Sequence, residues 1–408
     1  MCLNENPEIF SKNPIFSQPK MLKKLQVQNF KSIWSDTVEL GQLNVFIGEN
    51  GAGKSNLLEA LAVMSAAKQE RLDIEGLYSK GVRVAKPALT CSSFHGKNPK
   101  PQIEISLAFQ REKQLMTIKS VLETDKTDEA VVKWKDSFEQ KAQEQEQQDI
   151  LKHVLNLSAT EDKLKLMKAL SEQKRTEKSA LYHPIQNYLI YNLDTKALRG
   201  LSSESKKVPL GINGEGLDIL LANFSEPEFA QLQEYAYFVN WLDEIVLDTE
   251  DLMKFSHLKQ SKSISKLYFK DKFMMKKENI FSAENANEGV LHILFYLALF
   301  ISQKTPTLFA IDNIESHLNP HLCTELMRVI CKLAKKTNKQ ALITTHNPAI
   351  LDGLNLNDDE LRLFEIYRND DGHTKTRRIQ LNPETKPIKA KLSELWMRGY
   401  LGAISKQF

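Results

Sequence analysis

The sequence predicts an α/β fold in which a mixed sheet is flanked by helices and carries a helical insertion. Three observations predict this fold. The glycine-rich stretch 48–55 lies between a short apolar run and a helical pattern. A second apolar run, residues 307–311, ends in the acidic residue Asp312, and a third, residues 340–345, ends in His346. Short apolar runs that alternate with helical patterns are typical of strands in an α/β sheet.

The composition divides the chain into six predicted segments. They are a flexible extension at 1–20, the first part of an α/β domain at 21–110, a helical insertion at 111–185, a subdomain of a strand and helices at 186–280, the second part of the α/β domain at 281–370, and a tail at 371–408. A chain of 408 residues has room for such a domain with an insertion.

The bulk properties of the chain favour a protein of the reducing cytoplasm. The formal net charge of +3 leaves nucleic-acid binding to a local patch rather than to the whole surface. The four cysteines form no C-x-x-C pair, so neither a disulfide framework nor a zinc site is expected. The most apolar run, residues 290–301, is interrupted by His292 and is too short to span a bilayer. Because the N-terminal residues also lack a signal-peptide pattern, we expect no membrane contact.

Alternating apolar residues predict the strands that open the α/β domain. Residues 21–30, 37–40, 43–47 and 103–109 each fit a short apolar or alternating pattern. A period of two is typical of strands with one buried face.

The stretch from Gly48 to Ser55 fits the P-loop pattern G-x-x-x-x-G-K-[ST] and lies between a predicted strand and a predicted helix, as such a loop must. Glycines let backbone N–H groups face the phosphates, and the helix N-terminus adds the positive end of its dipole. The pattern assigns Lys54 to the β- and γ-phosphates of ATP and the Ser55 hydroxyl to Mg²⁺. The predicted nucleotide-binding residues of this loop are Gly48, Asn50, Gly51, Ala52, Gly53, Lys54, Ser55 and Asn56. A glycine-rich turn without a ligand is the alternative.

The predicted insertion, residues 111–185, has the composition of solvent-exposed helices. No glycine occurs between Gly96 and Gly200, and much of this stretch is rich in Lys, Glu and Gln. Apolar residues recur there at helical spacing; they include Val131, Trp134, Phe138 and Ala142. The insertion is a solvated helical hairpin, a surface for a partner or an oligomer, or a DNA contact.

The segment 186–280 returns to the α/β pattern. Residues 188–191 read as a strand, and residues 217–255 read as helices with aromatic residues at helical spacing. Because no basic residues interleave with these aromatics, we interpret them as core rather than as a platform for nucleic-acid bases.

Asp312 and His346 are the candidate functional residues of the second part of the domain. An acidic residue at the end of a buried strand is the Walker B arrangement, in which the carboxylate holds Mg²⁺ opposite Ser55. An imidazole at the end of the next strand can hydrogen-bond a phosphate oxygen or the attacking water. A core or loop histidine is the alternative for His346.

The order of these motifs resembles that of the ABC-type ATPase heads in the RecF, OLD and SMC group. It is most similar to the small stand-alone ATPase subunits of bacterial anti-phage systems, such as Septu-like and PARIS-like defence. The resemblance covers residues 21–62 and 280–355. The motifs that carry it are Asn29-Phe30-Lys31-Ser32, the P-loop, Ala286-Asn287-Glu288-Gly289-Val290, Asp312 with Glu315-Ser316-His317-Leu318-Asn319-Pro320, and Thr345-His346-Asn347-Pro348.

This resemblance implies ATP and Mg²⁺ as cofactors and two heads that sandwich two ATP molecules. Lys31 and Ser32 match the family residues that lie against the nucleotide. Asn287, Glu288 and Gly289 form a loose version of the signature loop, which contacts the γ-phosphate held by the partner subunit. A plain helix N-terminus is the alternative for this segment. The expected assembly is a homodimer or higher homo-oligomer that depends on the γ-phosphate.

One residue departs from the family pattern. An acidic residue usually follows the Walker B aspartate and polarises the attacking water, but here the next residue is Asn313, whose amide cannot accept a proton. Three alternatives remain open. Glu315 takes over as base if the strand end curls toward the γ-phosphate, hydrolysis is slow or absent, or another group is the base.

The residues after His346 suggest how the protein acts. Residues 362–368 read as a last strand, and the tail contains Trp396, which docks on a partner or packs on its own domain. OLD-type proteins carry a nuclease after the head, and no acidic cluster replaces it here, so we expect any nuclease to be a separate polypeptide.

The favoured hypothesis is an ATP-binding switch subunit of an anti-phage system that controls a separate effector, expected to be a nuclease. The alternative is a RecF-like DNA-repair ATPase that clamps DNA directly. An ABC transporter subunit is the least favoured, because the L-S-G-G-Q signature is absent.

Overall fold

The computed structural model describes most of the chain. The described residues are 21–98, 100–111, 114–124, 134–142, 144, 168, 171–172, 176, 178–201, 210–248, 264–276, 279–380 and 390–401. The predicted extension at 1–20 lies outside them. The chain forms two compact units. The first unit comprises Met1–Leu40, Glu59–Tyr188 and Arg368–Lys375, and the second comprises Gly41–Leu58, Leu189–Tyr367 and Thr376–Phe408.

The strands and helices of the described residues follow in chain order. The strands are β1 (Met21–Phe30), β2 (Ile33–Glu39), β3 (Leu43–Ile47), β4 (Gln102–Arg111), β5 (Gln114–Thr124), β6 (Trp134–Asp136), β7 (Ile190–Tyr191), β8 (Leu242–Leu247), β9 (Leu267–Asp271), β10 (Ile280–Ser282), β11 (Leu308–Ile311), β12 (Gln340–Thr344), β13 (Leu361–Arg368) and β14 (Thr374–Ile379). The labelled α-helices are α1 (Lys54–Lys68), α2 (Ile74–Tyr78), α3 (Pro87–Thr90), α4 (Thr195–Leu198), α5 (Leu217–Ala222), α6 (Glu226–Tyr235), α7 (Glu288–Ile301), α8 (Pro320–Thr337) and α9 (Leu392–Met397). Short 3₁₀ helices are Ala236–Phe238, Ala283–Asn285 and Pro348–Gly353.

The first unit is built on a five-stranded antiparallel sheet in the order β2-β1-β4-β5-β6. Alternate residues of a strand face opposite sides of a sheet. Ile103, Ile105, Leu107 and Phe109 of β4 are accordingly all buried. The predicted strands at 21–30 and 103–109 are confirmed.

The predicted helical insertion is only partly helical. Residues 137–142 and 178–186 are helical, but β5 and β6 are strands of the sheet just described. The prediction was therefore wrong for these strands, including Trp134, which pairs with Thr124. Val131 and much of the remainder lie outside the described residues. Pairing with β4 decided the structure of β5, and no local pattern reports such a partner.

The second unit contains a six-stranded sheet in the order β14-β13-β3-β12-β11-β7. Neighbouring strands from β13 to β7 run parallel. All five residues of β3 are buried, as expected for a central parallel strand covered on both faces. Parallel strands bring their carboxyl ends to one edge, so the residues after β3, β11 and β12 meet there.

Helix α7 is the most buried helix of the second unit. Its residues from Gly289 to Ile301 are all buried, which explains why this run is apolar on every side. The amphipathic helix α8 packs against it, begins at the N-cap Asn319 and ends before Asn338, which adopts a left-handed conformation. In the described part of the chain, no helix is long and apolar enough to cross a membrane.

A three-stranded antiparallel sheet, in the order β10-β9-β8, completes the second unit. Residues 242–247 form β8, so the helical prediction for 217–255 was wrong there. The aromatic residues predicted as core do pack against the core of this unit; they are Phe229, Tyr235, Phe238 and Trp241.

The tail packs on the second unit through α9. Trp396 is 6% exposed and belongs to the core of this unit. The hydroxyl of Ser393 donates to the carboxylate of Asp352 over 2.8 Å. For Trp396 the structure therefore favours packing on its own domain over docking on a partner.

Candidate functional site

The P-loop connects β3 to α1, and its glycines are required by its backbone. A Cβ atom at Gly48 would lie 2.2 Å from the carbonyl oxygen of Ile366 on β13. Gly53 adopts a φ of 111°, a backbone conformation that residues with a Cβ atom rarely adopt. Asn50 and Gly51 are exposed, whereas Ala52 is buried. The loop therefore keeps the backbone close to β13 while its tip faces solvent.

Lys54 is held inside this loop. Its side-chain Nζ donates hydrogen bonds to the carbonyl oxygens of Gly48, over 2.7 Å, and Glu49, over 3.0 Å. Burial lowers the pKa of Lys54, while the carboxylates of Asp312 and Glu315 oppose this shift. Lys54 thus interacts electrostatically with the carboxylates of Asp312 and Glu315, which follow β11.

A chain of hydrogen bonds links the P-loop helix to the ends of β11 and β12. The Ser55 hydroxyl donates to Oδ2 of Asp312 over 3.0 Å. The buried Thr344 hydroxyl donates to Oδ1 of Asp312 over 2.5 Å and accepts the backbone N–H of Asn313 over 2.9 Å. Both carboxylate oxygens of Asp312 are therefore fixed, one by each neighbouring element.

Thr344 is a residue of this network that was not predicted from the sequence. Its only sequence signal was its position, directly before Thr345 and His346 at the end of a predicted strand. A hydroxyl at such a position has many possible partners, and only the register of β11 and β12 brings it to Asp312.

Asn313 makes a sharp turn directly after β11. Its φ is 57°, a left-handed conformation that asparagine tolerates better than most residues. Its backbone N–H bonds to Thr344, and its carbonyl oxygen accepts the Ser316 hydroxyl over 2.8 Å. Among the described residues, its side-chain amide makes no hydrogen bond. The structure thus brings the backbone of Asn313 into the site network.

Glu315 reaches the site after this turn. Its Oε1 accepts the backbone N–H of His346 over 2.8 Å. Its Oε2 is buried and has no hydrogen-bond partner in the described part of the chain. A buried carboxylate oxygen without a partner is rare and indicates a group that is completed by a ligand or by water.

His346 is exposed next to these residues. Its pKa is lowered by burial of the ring and by the charge of Lys54, and the carboxylates of Glu315 and Asp312 oppose this shift. A lowered pKa favours the neutral imidazole, in which one nitrogen donates and the other accepts.

The segment Asn287-Glu288-Gly289 forms the N-terminus of α7. The side chain of Asn287 caps the helix by accepting the Gly289 N–H over 2.8 Å. The Glu288 carboxylate lies 2.6 Å from Nδ1 of His317 and 3.8 Å from the Arg199 guanidinium. The segment is therefore a capped helix N-terminus within the chain, and a contact with a second subunit stays a prediction.

Lys31 and Ser32 belong to the first unit, whereas the P-loop belongs to the second. The Lys31 ammonium lies 2.5 Å from the Glu59 carboxylate. The Ser32 and Thr374 hydroxyls share a hydrogen bond of 2.7 Å. Both side chains are thus engaged within their own unit, and their contact with a nucleotide stays a prediction.

The residues at the strand ends fit a Mg²⁺-nucleotide complex. Hydroxyl and carboxylate oxygens are the protein ligands that Mg²⁺ prefers; Ser55 and Asp312 supply one of each, 3.0 Å apart. The unpartnered oxygen of Glu315 adds an acceptor in the electrostatic range of Lys54. The arrangement can bind phosphates, hold a divalent cation and accept a proton.

The sequence matches one family across most of its length. Residues 43–352 match the family described as "AAA domain, putative AbiEii toxin, Type IV TA system". This range contains the P-loop, Asp312, Glu315 and His346.

Two curated relatives match shorter parts of the chain. An uncharacterised protein of Methanocaldococcus jannaschii is 32% identical over 99 residues, which are 22% of this chain and 42% of the relative. The DNA replication and repair protein RecF of an Exiguobacterium species is 45% identical over 53 residues, which are 12% of this chain and 14% of that protein. The chain thus spans less than half of either relative's length.

A solved structure, an SMC head bound to the C-winged helix domain of ScpA, has a similar fold. The superposition has a TM-score of 0.53 at 14% identity and covers 88% of this chain and 98% of that one. At this identity the similarity concerns the fold alone. It confirms the predicted fold class, a mixed α/β fold with sheets flanked by helices.

Proposed function

Because the chain belongs to the AAA-domain family described as a putative AbiEii toxin of type IV toxin–antitoxin systems, we propose that it is an ATP-binding switch subunit of an anti-phage defence system. In this proposal it binds ATP with Mg²⁺, hydrolyses it slowly, forms nucleotide-dependent homo-oligomers and controls a separate effector, a nuclease. The observation that carries the proposal is the network of Lys54, Ser55, Asp312 and Glu315 at one edge of the sheet.

In this proposal, different residues bind the phosphates and the cation. The backbone N–H groups of the P-loop and the ammonium of Lys54 bind the phosphates. Ser55 and Asp312 hold the cation, with Thr344 fixing the carboxylate of Asp312. When bound, Mg²⁺ neutralises charge on the β- and γ-phosphates.

Glu315 is the residue best placed to accept a proton. Water attacks the γ-phosphorus, the bond from that phosphorus to the ADP oxygen breaks, and the water proton passes to Oε2 of Glu315. The N–H of His346 holds the other oxygen, Oε1, and so orients the carboxylate. The αL turn at Asn313 is what lets Glu315 take the place of the acidic residue that the family pattern has one position after the aspartate.

Single-turnover hydrolysis of radiolabelled ATP tests this assignment. We expect Glu315→Gln to lower the rate about 100-fold or more, because it removes the base, while the affinity for a fluorescent ATP analogue changes less than about threefold. Asn313→Ala is the matched control and should keep the rate within a few-fold. If Glu315→Gln hydrolyses ATP at the wild-type rate, the base is another group.

The defence role is tested in cells. A plasmid that carries this gene with its two flanking genes should reduce the efficiency of plating of sensitive phages. Lys54→Ala should restore plating, because it removes phosphate binding, whereas the exposed-residue control Lys332→Ala should not. Equal protection by the Lys54→Ala variant would show that ATP binding does not control the effector.

A further inference from the structure

An aromatic cluster lies on the first unit, far in sequence from the P-loop. Trp34 is on β2, the edge strand of the five-stranded sheet, and it is half-buried. The ring of His373 stacks on it at 5.7 Å between centroids and 15° between planes. Phe94 contacts both rings edge-on, at 6.3 Å from Trp34 and 4.4 Å from His373. Phe94 and His373, which come from two other segments of the unit, thus both contact the partly exposed indole of Trp34.

Positive charge surrounds this indole. The ammonium groups of Lys97 and Lys100 lie 5.0 and 6.0 Å from the centroid of the Trp34 ring. The ammonium of Lys375 lies 2.6 Å from the carbonyl oxygen of the neighbouring Ser35. The carboxylate of Asp371 lies 3.9 Å from Lys97 and 3.9 Å from Nδ1 of His373, in both cases at the limit of an ion pair. Lysines beside an aromatic face are typical of surfaces on which single-stranded bases stack.

A buried polar atom in the cluster lacks a partner. His373 is 3% exposed, and its Nε2 has no hydrogen-bond partner among the described residues. Its backbone N–H, by contrast, is satisfied by the side chain of Asn369 over 2.8 Å. Unsatisfied buried polar groups are uncommon unless a ligand or water completes them.

The other tryptophans of the chain do not share these surroundings. Trp134 and Trp396 are each 6% exposed, and Trp241 packs among Phe269 and Phe281. Those rings are explained by burial of apolar area. Trp34 is half-buried and differs from these rings in the ammonium groups of Lys97 and Lys100 that lie near its face.

We propose that Trp34, Phe94, Lys97, Lys100 and His373, here called the Trp34 surface, bind a single strand of nucleic acid. A base stacks on the face of the Trp34 indole opposite His373, and Lys97 and Lys100 turn from the ring to the phosphates on either side of that base. The bases of a duplex already stack on one another and leave no face for an indole, so a single strand fits better. This binding does not depend on ATP hydrolysis by the proposed site.

Fluorescence anisotropy with the full chain tests the Trp34 surface. The probe is a labelled oligothymidine of about 20 nucleotides, which exceeds the usual site size of such proteins. Its comparison strands are an abasic strand of the same length and a duplex of the same length. We expect the oligothymidine to bind at least about tenfold more tightly than the abasic strand, because only it has bases to stack.

Matched variants separate stacking from charge. Trp34→Ala should weaken binding about tenfold, whereas Trp34→Phe should stay within about threefold, because phenylalanine keeps an aromatic face. Replacing Lys97 and Lys100 together by alanine should reduce the slope of log affinity against log salt by about 1.4, since each phosphate contact on a single strand contributes about 0.7. The exposed-lysine control Lys332→Ala should leave this slope unchanged.

Tryptophan fluorescence shows whether the base that stacks on Trp34 belongs to a nucleic acid or to ATP. Oligothymidine should quench a signal that Trp34→Phe removes, and saturating ATP should not. If ATP alone quenches Trp34, the surface holds the base of the nucleotide, and the proposal fails. Equal binding of the abasic strand, or unchanged binding by Trp34→Ala, also overturns it. Should Trp34→Ala unfold, Trp34→Phe fluorescence and the lysine variant still decide the question.

Discussion

At the scale of single residues, Thr344 connects the parts of the nucleotide site. Its hydroxyl donates to Asp312 and accepts from Asn313, so it fixes both the carboxylate that would hold Mg²⁺ and the turn that leads to Glu315. One buried hydroxyl therefore orients the metal ligand and the proposed base together.

We predict that Thr344→Val raises the Mg²⁺ concentration needed for half-maximal binding of a fluorescent ATP analogue about tenfold. Valine has nearly the same shape but removes the hydroxyl that bonds to Oδ1 of Asp312 and to the backbone N–H of Asn313, at a cost of about 1–3 kcal/mol. Thr344→Ser restores the hydroxyl and should bring the Mg²⁺ dependence back. An unchanged Mg²⁺ titration for Thr344→Val would mean that Asp312 is held by Ser55 alone.

The conformation of Asn313 also supports one of the three alternatives that the sequence left open, Glu315 as the proposed base. The sequence left open whether Glu315 could face the site, because that depends on whether the strand end curls. The left-handed φ of Asn313 turns the chain at the end of β11. The hydrogen bond from the backbone N–H of His346 to Glu315 then holds the carboxylate in place. Neither feature has a signature in the order of residues, since a left-handed asparagine is set by its surroundings.

At the scale of elements, helix α7 is buried from Gly289 to Ile301 and contains His292, whose protonation in the folded state costs free energy. His292 is 0% exposed, and neither ring nitrogen has a hydrogen-bond partner among the described residues. Burial, with a contribution from the nearby charge of His317, lowers the pKa of His292 from 6.5 to about 4.

This shift predicts a loss of stability in mild acid. Between pH 6.5 and 4 the unfolded chain binds a proton at this residue that the folded chain does not, so the free energy of unfolding falls as the pH falls. From pH 7 to pH 5 the loss is about 2 kcal/mol. Urea unfolding at both pH values measures it.

The variant His292→Leu should lack this component of the pH dependence. The exposed-residue control His321→Leu should retain it. A His292→Leu variant that loses as much stability as the wild type from pH 7 to pH 5 would exclude His292 as the source.

At the scale of the whole molecule, the proposed switch requires more than one chain. The P-loop, Asp312 and Glu315 come together within one unit of one chain, but the segment that resembles a signature loop caps its own helix α7. In the proposed function, that capped N-terminus completes the site of a second copy.

We predict that ATP and Mg²⁺ convert the Glu315→Gln variant from monomer to dimer or a higher oligomer, as measured by light scattering after size exclusion. The variant traps ATP because it cannot hydrolyse it, so the γ-phosphate stays at the interface. ADP should leave the variant monomeric, and Lys54→Ala in the same background should remain monomeric with ATP. Oligomers of equal mass with ATP and without nucleotide would exclude a nucleotide-dependent assembly.

The sequence by itself determined the parts of this protein that depend on neighbouring residues. The strand, P-loop and helix at residues 43–68, the strand that ends at Asp312, and the strand before His346 follow from apolar runs, glycines and charge over short stretches. Local backbone preferences and burial of one segment are enough to specify them.

Only the tertiary structure decided which distant residues meet. It paired β5 with β4 and β6 where the composition favoured helices, and it joined Ser55 and Thr344 through Asp312. Strand pairing and side-chain hydrogen bonds link residues far apart in the chain, so their energies do not appear in any short window of sequence. For this reason the P-loop could be read from the sequence, but the placement of Glu315 and the surroundings of Trp34 could not.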